Sequence, residues 1–83
     1  RYVRRMGKVP FTHGTLPRIV RTLQSRFPEA EADHTDGIKL LWPDAWLHVR
    51  ASNTEPILRV AAEAKTKERL EEVYGVGAAL LKG

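Results

Sequence analysis

The sequence predicts an α+β domain, with one antiparallel sheet carrying two helices on one face. Three observations lead there. Two stretches show apolar residues at helical spacing, several short runs alternate apolar and polar residues, and the elements follow in the order strand, helix, three strands, helix. At 83 residues the chain is long enough for one modest core, so residues 1–83 read as a single domain.

The opening stretch, Tyr2 to Phe11, holds Val3, Met6, Val9 and Phe11 and reads as a strand. Gly7 and Pro10 assign it to a sheet edge, because proline cannot donate to a ladder and glycine weakens one. A helix is expected over 16–27, where Leu16, Ile19, Val20, Leu23 and Phe27 fall at i, i+3, i+4, i+7 and i+11. Thr15 is its expected N-cap, Pro17 is tolerated in the first turn, and Pro28 ends it. Arg18 and Arg21 lie off the apolar stripe and read as a solvated face. The segment Ala30 to His34 fits either strand or loop.

Asp36-Gly37 marks a turn. Two runs follow, Ile38 to Trp42 and Trp46 to Ala51, joined by Pro43, Asp44 and Ala45 as a three-residue hairpin connection. Ile38, Leu40 and Trp42 share one face. Leu47, Val49 and Ala51 share another, with Trp46, His48 and Arg50 opposite. A further strand, Ile57 to Ala64, turns Leu58, Val60, Ala62 and Ala64 inward and Arg59 and Glu63 outward. Thr66 caps a second helix with the stripe Leu70, Val73, Tyr74, Gly77, Leu80 and Leu81. Gly75 and Gly77 each cost about 1 kcal/mol relative to Ala in a helix, so a bend, a break or close packing is expected there.

Composition narrows function less than fold. There is no cysteine, hence no disulfide, thiolate nucleophile or zinc knuckle. No apolar run approaches the ~20 residues of a membrane span. Both points fit a cytoplasmic protein. The net charge of +4 favours phosphate-bearing ligands, sugar phosphate and nucleic acid alike. With neither initiator Met nor signal-like stretch, the sequence reads as a piece of a longer polypeptide. The basic cluster Arg1, Arg4, Arg5 and Lys8 is expected to be a solvated lead-in, or a hinge contact to a preceding domain.

The most informative segment is the polar break Arg50-Ala51-Ser52-Asn53-Thr54-Glu55-Pro56, which leads into Ile57-Leu58-Arg59. It gathers two hydroxyls and an amide between arginines. Hydroxyls, amide NH2 and successive backbone N–H groups donate to phosphate oxygens, and guanidinium adds bidentate, charge-assisted bonds. Pro56 stiffens the exit and holds Glu55 out of helical geometry. Glu55 suits pairing with an arginine or accepting from loop amides. On the residues alone, an anion clamp and a polar hairpin loop flanked by surface arginines explain the segment equally well.

The stretch Asp36 to Ala64, DGIKLLWPDAWLHVRASNTEPILRVAAEA, resembles the last domain of the α-D-phosphohexomutase superfamily, which includes phosphoglucomutases, phosphomannomutases and phosphoglucosamine mutases. The matching pattern is a DG turn, a strand, a second strand ending in Arg, a Ser-Gly/Asn-Thr-Glu-Pro loop, and a strand containing Arg. The flanking elements extend the resemblance over nearly the whole chain.

The resemblance implies a fold like that of the TATA-binding protein and a role as a mobile lid that binds the substrate phosphate not being transferred. Arg50, Ser52, Asn53 and Thr54 match the phosphate-contacting positions, with Glu55 and Arg59 in support. The larger enzyme would be an isomerase that interconverts hexose 1- and 6-phosphates through a bisphosphorylated sugar. It would use Mg2+ held by another domain, and the 83 residues would carry neither catalytic residue nor metal site. The implied partners are the phosphosugar and the other domains of the same polypeptide, with no nucleic acid and no membrane.

Alternatives are a phosphoglucosamine mutase domain or a small basic nucleic-acid-binding module. The latter lacks an RNP1-like run of glycine and paired aromatics. His13, His34 and His48 are scattered without a carboxylate pattern and read as non-ligands; for His48, on the same strand face as Arg50, a partly exposed strand residue is the expectation and a place at the border of the phosphate site the alternative. For Trp42 and Trp46, packing is the expectation and sugar stacking the alternative.

Overall fold

The computed structural model describes residues 2–12 and 14–82, and of Lys82 the backbone only. Arg1 and His13 lie outside the described residues. The elements are β1 (Val3–Pro10), α1 (Leu16–Arg26), β2 (Glu31–Asp33), β3 (Ile38–Trp42), β4 (Ala45–Ala51), β5 (Ile57–Ala64) and α2 (Lys67–Lys82). The strands form one antiparallel sheet in the order β1-β5-β4-β3-β2. This is the expected α+β architecture, with β1 at an edge as Gly7 and Pro10 required.

The inward residues follow the period-2 reading. Ile38, Leu40, Leu47, Val49, Leu58, Val60, Ala62 and Ala64 are all buried on the helix-covered face. Burying a Val, Leu or Ile side chain fully contributes about 1.5–3 kcal/mol, so this row of alternate residues fixes the register of the central strands. Helix α2 lies across β1, β5 and β4, and α1 packs beside it. From α2, Leu70, Val73, Tyr74 and Leu81 enter the core, and from α1 Leu23 does.

Two local expectations need correction, and one open alternative is decided. The β3–β4 connection has two residues, Pro43 and Asp44, because Ala45 pairs with Trp42 as the first residue of β4. Alanine gives no strand signal, yet its small side chain fits the core at 5% exposure. The segment after α1 is a strand, Glu31–Asp33, paired on β3. All three of its residues are exposed, so no alternation marks it. Thr15 sits at the N-cap position but does not cap. Its hydroxyl donates to the Thr12 carbonyl at 2.6 Å, and Pro17 in the first turn offers no N–H to accept.

Thr66 does cap: its hydroxyl oxygen accepts from the Arg69 amide at 3.1 Å. The two glycines of α2 do not break it. Gly77 is where the helix meets the sheet, since a Cβ there would lie 2.8 Å from Leu47 Cδ2, whereas Gly75 faces open space. Trp42 packs edge-on to Phe27 at 5.2 Å and donates its indole N–H to Glu29 at 2.8 Å. Arg69 ties α2 to the hairpin turn by donating to Asp44 at 3.2 Å. Among the described residues no helix is long and apolar enough to cross a membrane.

A candidate anion site at one end of the open sheet face

The sheet face away from the helices is uncovered, and its two ends differ. Toward the β4–β5 loop, Lys8, Arg59 and Arg50 stand in direct cross-strand register on β1, β5 and β4. Like charges placed opposite one another destabilise a sheet, so this row is not explained by folding. In the next row, Met6, Ala61 and His48 follow in the same register. Together these side chains line an open groove of about 400 Å³. Farther along, Arg4 is paired with Glu63 at 2.9 Å and Lys39 lies over the Trp46 ring at 4.6 Å.

The loop closes that end of the face. Ladder pairing continues past the strands: the Ser52 amide donates to Ile57 O at 3.0 Å, and the Phe11 amide donates to Pro56 O at 2.9 Å. The Ile57 amide donates to Glu55 O at 2.8 Å, which folds the chain tightly around Pro56. Within the loop the Ser52 hydroxyl oxygen accepts from the Thr54 and Glu55 amides, each at 3.3 Å, and lies 3.5 Å from the Thr54 hydroxyl. Ser52 is therefore the hub that curls the loop. Asn53 and Thr54 are exposed at its tip, so an amide NH2 and a hydroxyl face solvent beside the arginine row.

Each arginine has a carboxylate nearby. Arg59 lies 3.9 Å from Glu55, an approach of the kind that arginine pairing, one of the two roles expected for Glu55, would make. Arg50 lies 3.6 Å from Asp36. The sequence reading missed Asp36, having taken Asp36-Gly37 only as a turn. The turn is pressed onto β4: Gly37 has φ +66°, and a Cβ on it would meet Val49 O at 2.2 Å and Arg50 Cα at 2.9 Å. His48 Nε2–H donates to the Asp36 carbonyl at 2.7 Å, which fixes the turn from the open face. His48 is a partly exposed strand residue, as expected, and also lines the groove.

Lys8 was also missed as a neighbour of the arginines. Its strand phase sets it opposite Val9, but only the β1–β5 register places it beside Arg59, and that pairing is non-local. Of the basic lead-in, Arg4, Arg5 and Lys8 are exposed, as expected, but not merely solvated, since Arg4 pairs with Glu63 and Arg5 stacks over Tyr74 at 4.5 Å. His34 is an exposed loop residue. Among the described residues no three His, Asp or Glu side chains gather to hold a metal ion.

Loop hydroxyls, an exposed amide and facing cations form a donor set suited to a tetrahedral oxyanion. Residues 8–74 match the family described as "Phosphoglucomutase/phosphomannomutase, C-terminal domain". The chain is 48% identical over 50 residues to a phosphoglucomutase/phosphomannomutase of Thermococcus kodakarensis, a match covering 60% of this chain and 11% of that protein. It is 33% identical to a phosphomannomutase of Methanocaldococcus jannaschii, covering 89% and 17%. With a probable phosphoglucosamine mutase of Pyrococcus abyssi it shares 33% identity, covering 99% and 19%. The chain therefore spans less than a fifth of the length of these relatives. It belongs to the family of phosphoglucomutase/phosphomannomutase C-terminal domains.

Proposed function

We propose that this chain is the substrate-phosphate-binding lid of a phosphohexomutase, an isomerase that interconverts hexose 1- and 6-phosphates through a bisphosphorylated sugar. The observation that carries the reading is the Ser52-centred loop with Asn53 and Thr54 at its tip, set against Arg50 at the end of an uncovered sheet face. Arg50 supplies charge-assisted bonds to the phosphate. Ser52, Asn53 and Thr54 supply hydroxyl, amide and backbone donors, while Glu55 and Arg59 brace one another across the loop exit.

The chain contributes positioning. Gripping the distal phosphate lets binding energy orient the reacting end of the sugar, which is worth most in the transition state. The phosphoryl acceptor and Mg2+ would belong to other domains of the same polypeptide, working in the cytoplasm on a phosphosugar. Relatives named as phosphoglucosamine mutases align over 99% of this chain, which makes an amino sugar the second reading of the substrate.

Titrating the isotopically labelled chain with inorganic phosphate tests the reading. The amides of Ser52, Asn53 and Thr54 are expected to shift, weakly and saturably. Shifts confined to other segments would count against the loop. In the full-length polypeptide, Arg50→Ala with Ser52→Ala is expected to raise KM for the phosphosugar strongly while the fold persists. Assays on glucose, mannose and glucosamine phosphates then distinguish the sugars.

A further inference from the structure

We infer that His48 is a positioning residue for the anion site: its ring holds the Asp36-Gly37 turn against β4 and so holds Arg50 ready for phosphate. The inference rests on the loop reading above, in which Arg50 grips the phosphate beside Ser52 to Thr54. The β3–β4 ladder ends at the Ile38–Val49 pair. From Arg50 onward β4 is paired only with β5, Arg50 against Arg59 and Ala51 against Leu58. The other flank of Arg50 is the turn itself, packed so closely that a Cβ on Gly37 would lie 2.9 Å from Arg50 Cα. Like charges opposite one another in the Arg50–Arg59 pair push apart, so the placement of Arg50 depends on that flank.

Little else holds the turn down. Among the described residues no backbone–backbone hydrogen bond ties residues 34–37 to a strand. The Thr35 amide donates to the Asp33 carboxylate at 2.9 Å, back toward β2 and away from Arg50. The Asp36 carboxylate stands 3.6 Å from Arg50, an exposed and weak pair. The remaining tie is the His48 Nε2–H on the Asp36 carbonyl at 2.7 Å, the shortest of the three. A carbonyl oxygen only accepts, so the ring must present a proton on Nε2. His48 and Arg50 alternate onto the same face of β4, so the strand that carries the clamp also carries its brace. The brace acts on the backbone of the turn, and through it on the flank of Arg50.

The test measures KM and kcat for the phosphosugar in the full-length polypeptide, with His48→Leu and His48→Gln each made in an Asp36→Asn background. In that background no carboxylate repels the phosphate, so a loosened turn acts on Arg50 alone. Leucine keeps an apolar side chain on the strand but offers no donor. His48→Leu is expected to raise KM about 2- to 10-fold, the span of one hydrogen bond's net contribution, with kcat changed less than about twofold. His48→Gln should bring KM back to within about twofold of the Asp36→Asn value, because its amide nitrogen extends about as far as Nε2 and donates to the same carbonyl. A ring that only packs would leave leucine at least as good as glutamine. An unchanged KM in His48→Leu, or a loss that glutamine does not repair, overturns the inference. Arg50→Ala, measured alongside, separates the inference from the reading beneath it. If Arg50→Ala leaves KM unchanged, the loop reading falls and the inference with it. If Arg50→Ala raises KM and His48→Leu does not, His48 alone loses its role.

Discussion

The Arg50 guanidinium and the Asp36 carboxylate face each other across 3.6 Å at the mouth of the groove, and both are largely exposed. An exposed pair at that separation contributes little to stability, about 0–1 kcal/mol. Its consequence for an incoming anion is larger. Asp36 offers the guanidinium a local counter-ion and repels a phosphate dianion approaching the same group. A unit charge a few Å from a dianion in a water-like medium is worth on the order of 1 kcal/mol before screening. Asp36→Asn is therefore expected to tighten phosphate binding a few-fold and to leave thermal stability almost unchanged. Phosphate titrations of the two proteins at low and physiological salt would check this. Looser binding in the variant would mean that the carboxylate orients Arg50 and does not compete for it.

Gly37 holds that carboxylate in place, and a side chain there meets two separate penalties. Its φ of +66° is a left-handed conformation, and a Cβ would strike the Val49 carbonyl at 2.2 Å, a backbone atom that cannot swing aside. Gly14 has φ +89° with nothing near its Cβ position. Gly14→Ala should therefore lose only the conformational share, about 1 kcal/mol. Gly37→Ala should lose about 2 kcal/mol or more, and weaken phosphate binding as Arg50 is displaced. Urea melts of both variants decide the point; equal losses would show that the contact with β4 relaxes at no cost.

What the sequence made legible follows from how local each feature is. The buried faces of β3, β4 and β5 could be read because alternate residues carry their own record of inside and outside, as Leu47, Val49, Leu58 and Val60 do. The loop stood out as a candidate because its hydroxyls, amide and proline are contiguous. Lys8 and Asp36 did not. Lys8 reaches Arg59 only through a β1–β5 pairing that spans most of the chain, and no periodicity encodes a register. Asp36 has the ordinary appearance of a turn aspartate until Gly37 is seen pressed against Arg50. Likewise β2 is silent in sequence, because Glu31, Ala32 and Asp33 bury nothing and are a strand only by pairing with β3.

The two glycines of α2 separate helix propensity from packing. Gly75 points into open space, so Gly75→Ala should gain about 0.5–1 kcal/mol by raising helix propensity and restricting the unfolded chain. Gly77→Ala receives the same backbone gain. Its new methyl, however, would lie 2.8 Å from Leu47 Cδ2, and Leu47 is 1% exposed with little room to turn. Overpacking a core costs typically 1–3 kcal/mol, so Gly77→Ala should fall at least 1 kcal/mol below Gly75→Ala in denaturant melts. If the two proved equally stable, the α2–sheet contact would be looser than the structure describes.

The indole of Trp42 should report the ionisation of Glu29. Its N–H donates to Glu29 Oε2 at 2.8 Å, and that bond is the main cause holding the Glu29 carboxyl below the usual glutamate range. The residue's own backbone N–H adds to the effect, desolvation opposes it, and the positive charges of Arg69 and Arg26 lower the carboxyl further. A carboxyl whose folded-state pKa lies below its unfolded value adds stability that is present above the unfolded pKa. That stability is lost as pH falls through the folded one. Between neutral pH and the ordinary glutamate range the Trp42 Nε1–H resonance should stay fixed; below it, the resonance should move as the acceptor is protonated. Trp46, whose ring lies under Lys39 on the opposite face, is the internal control. Glu29→Gln should abolish the acid transition of the Trp42 signal, because a neutral amide oxygen accepts at every pH. A transition that persists in Glu29→Gln would assign the titration to another group, and one centred in the ordinary glutamate range would show that the indole bond does not favour the ionised form.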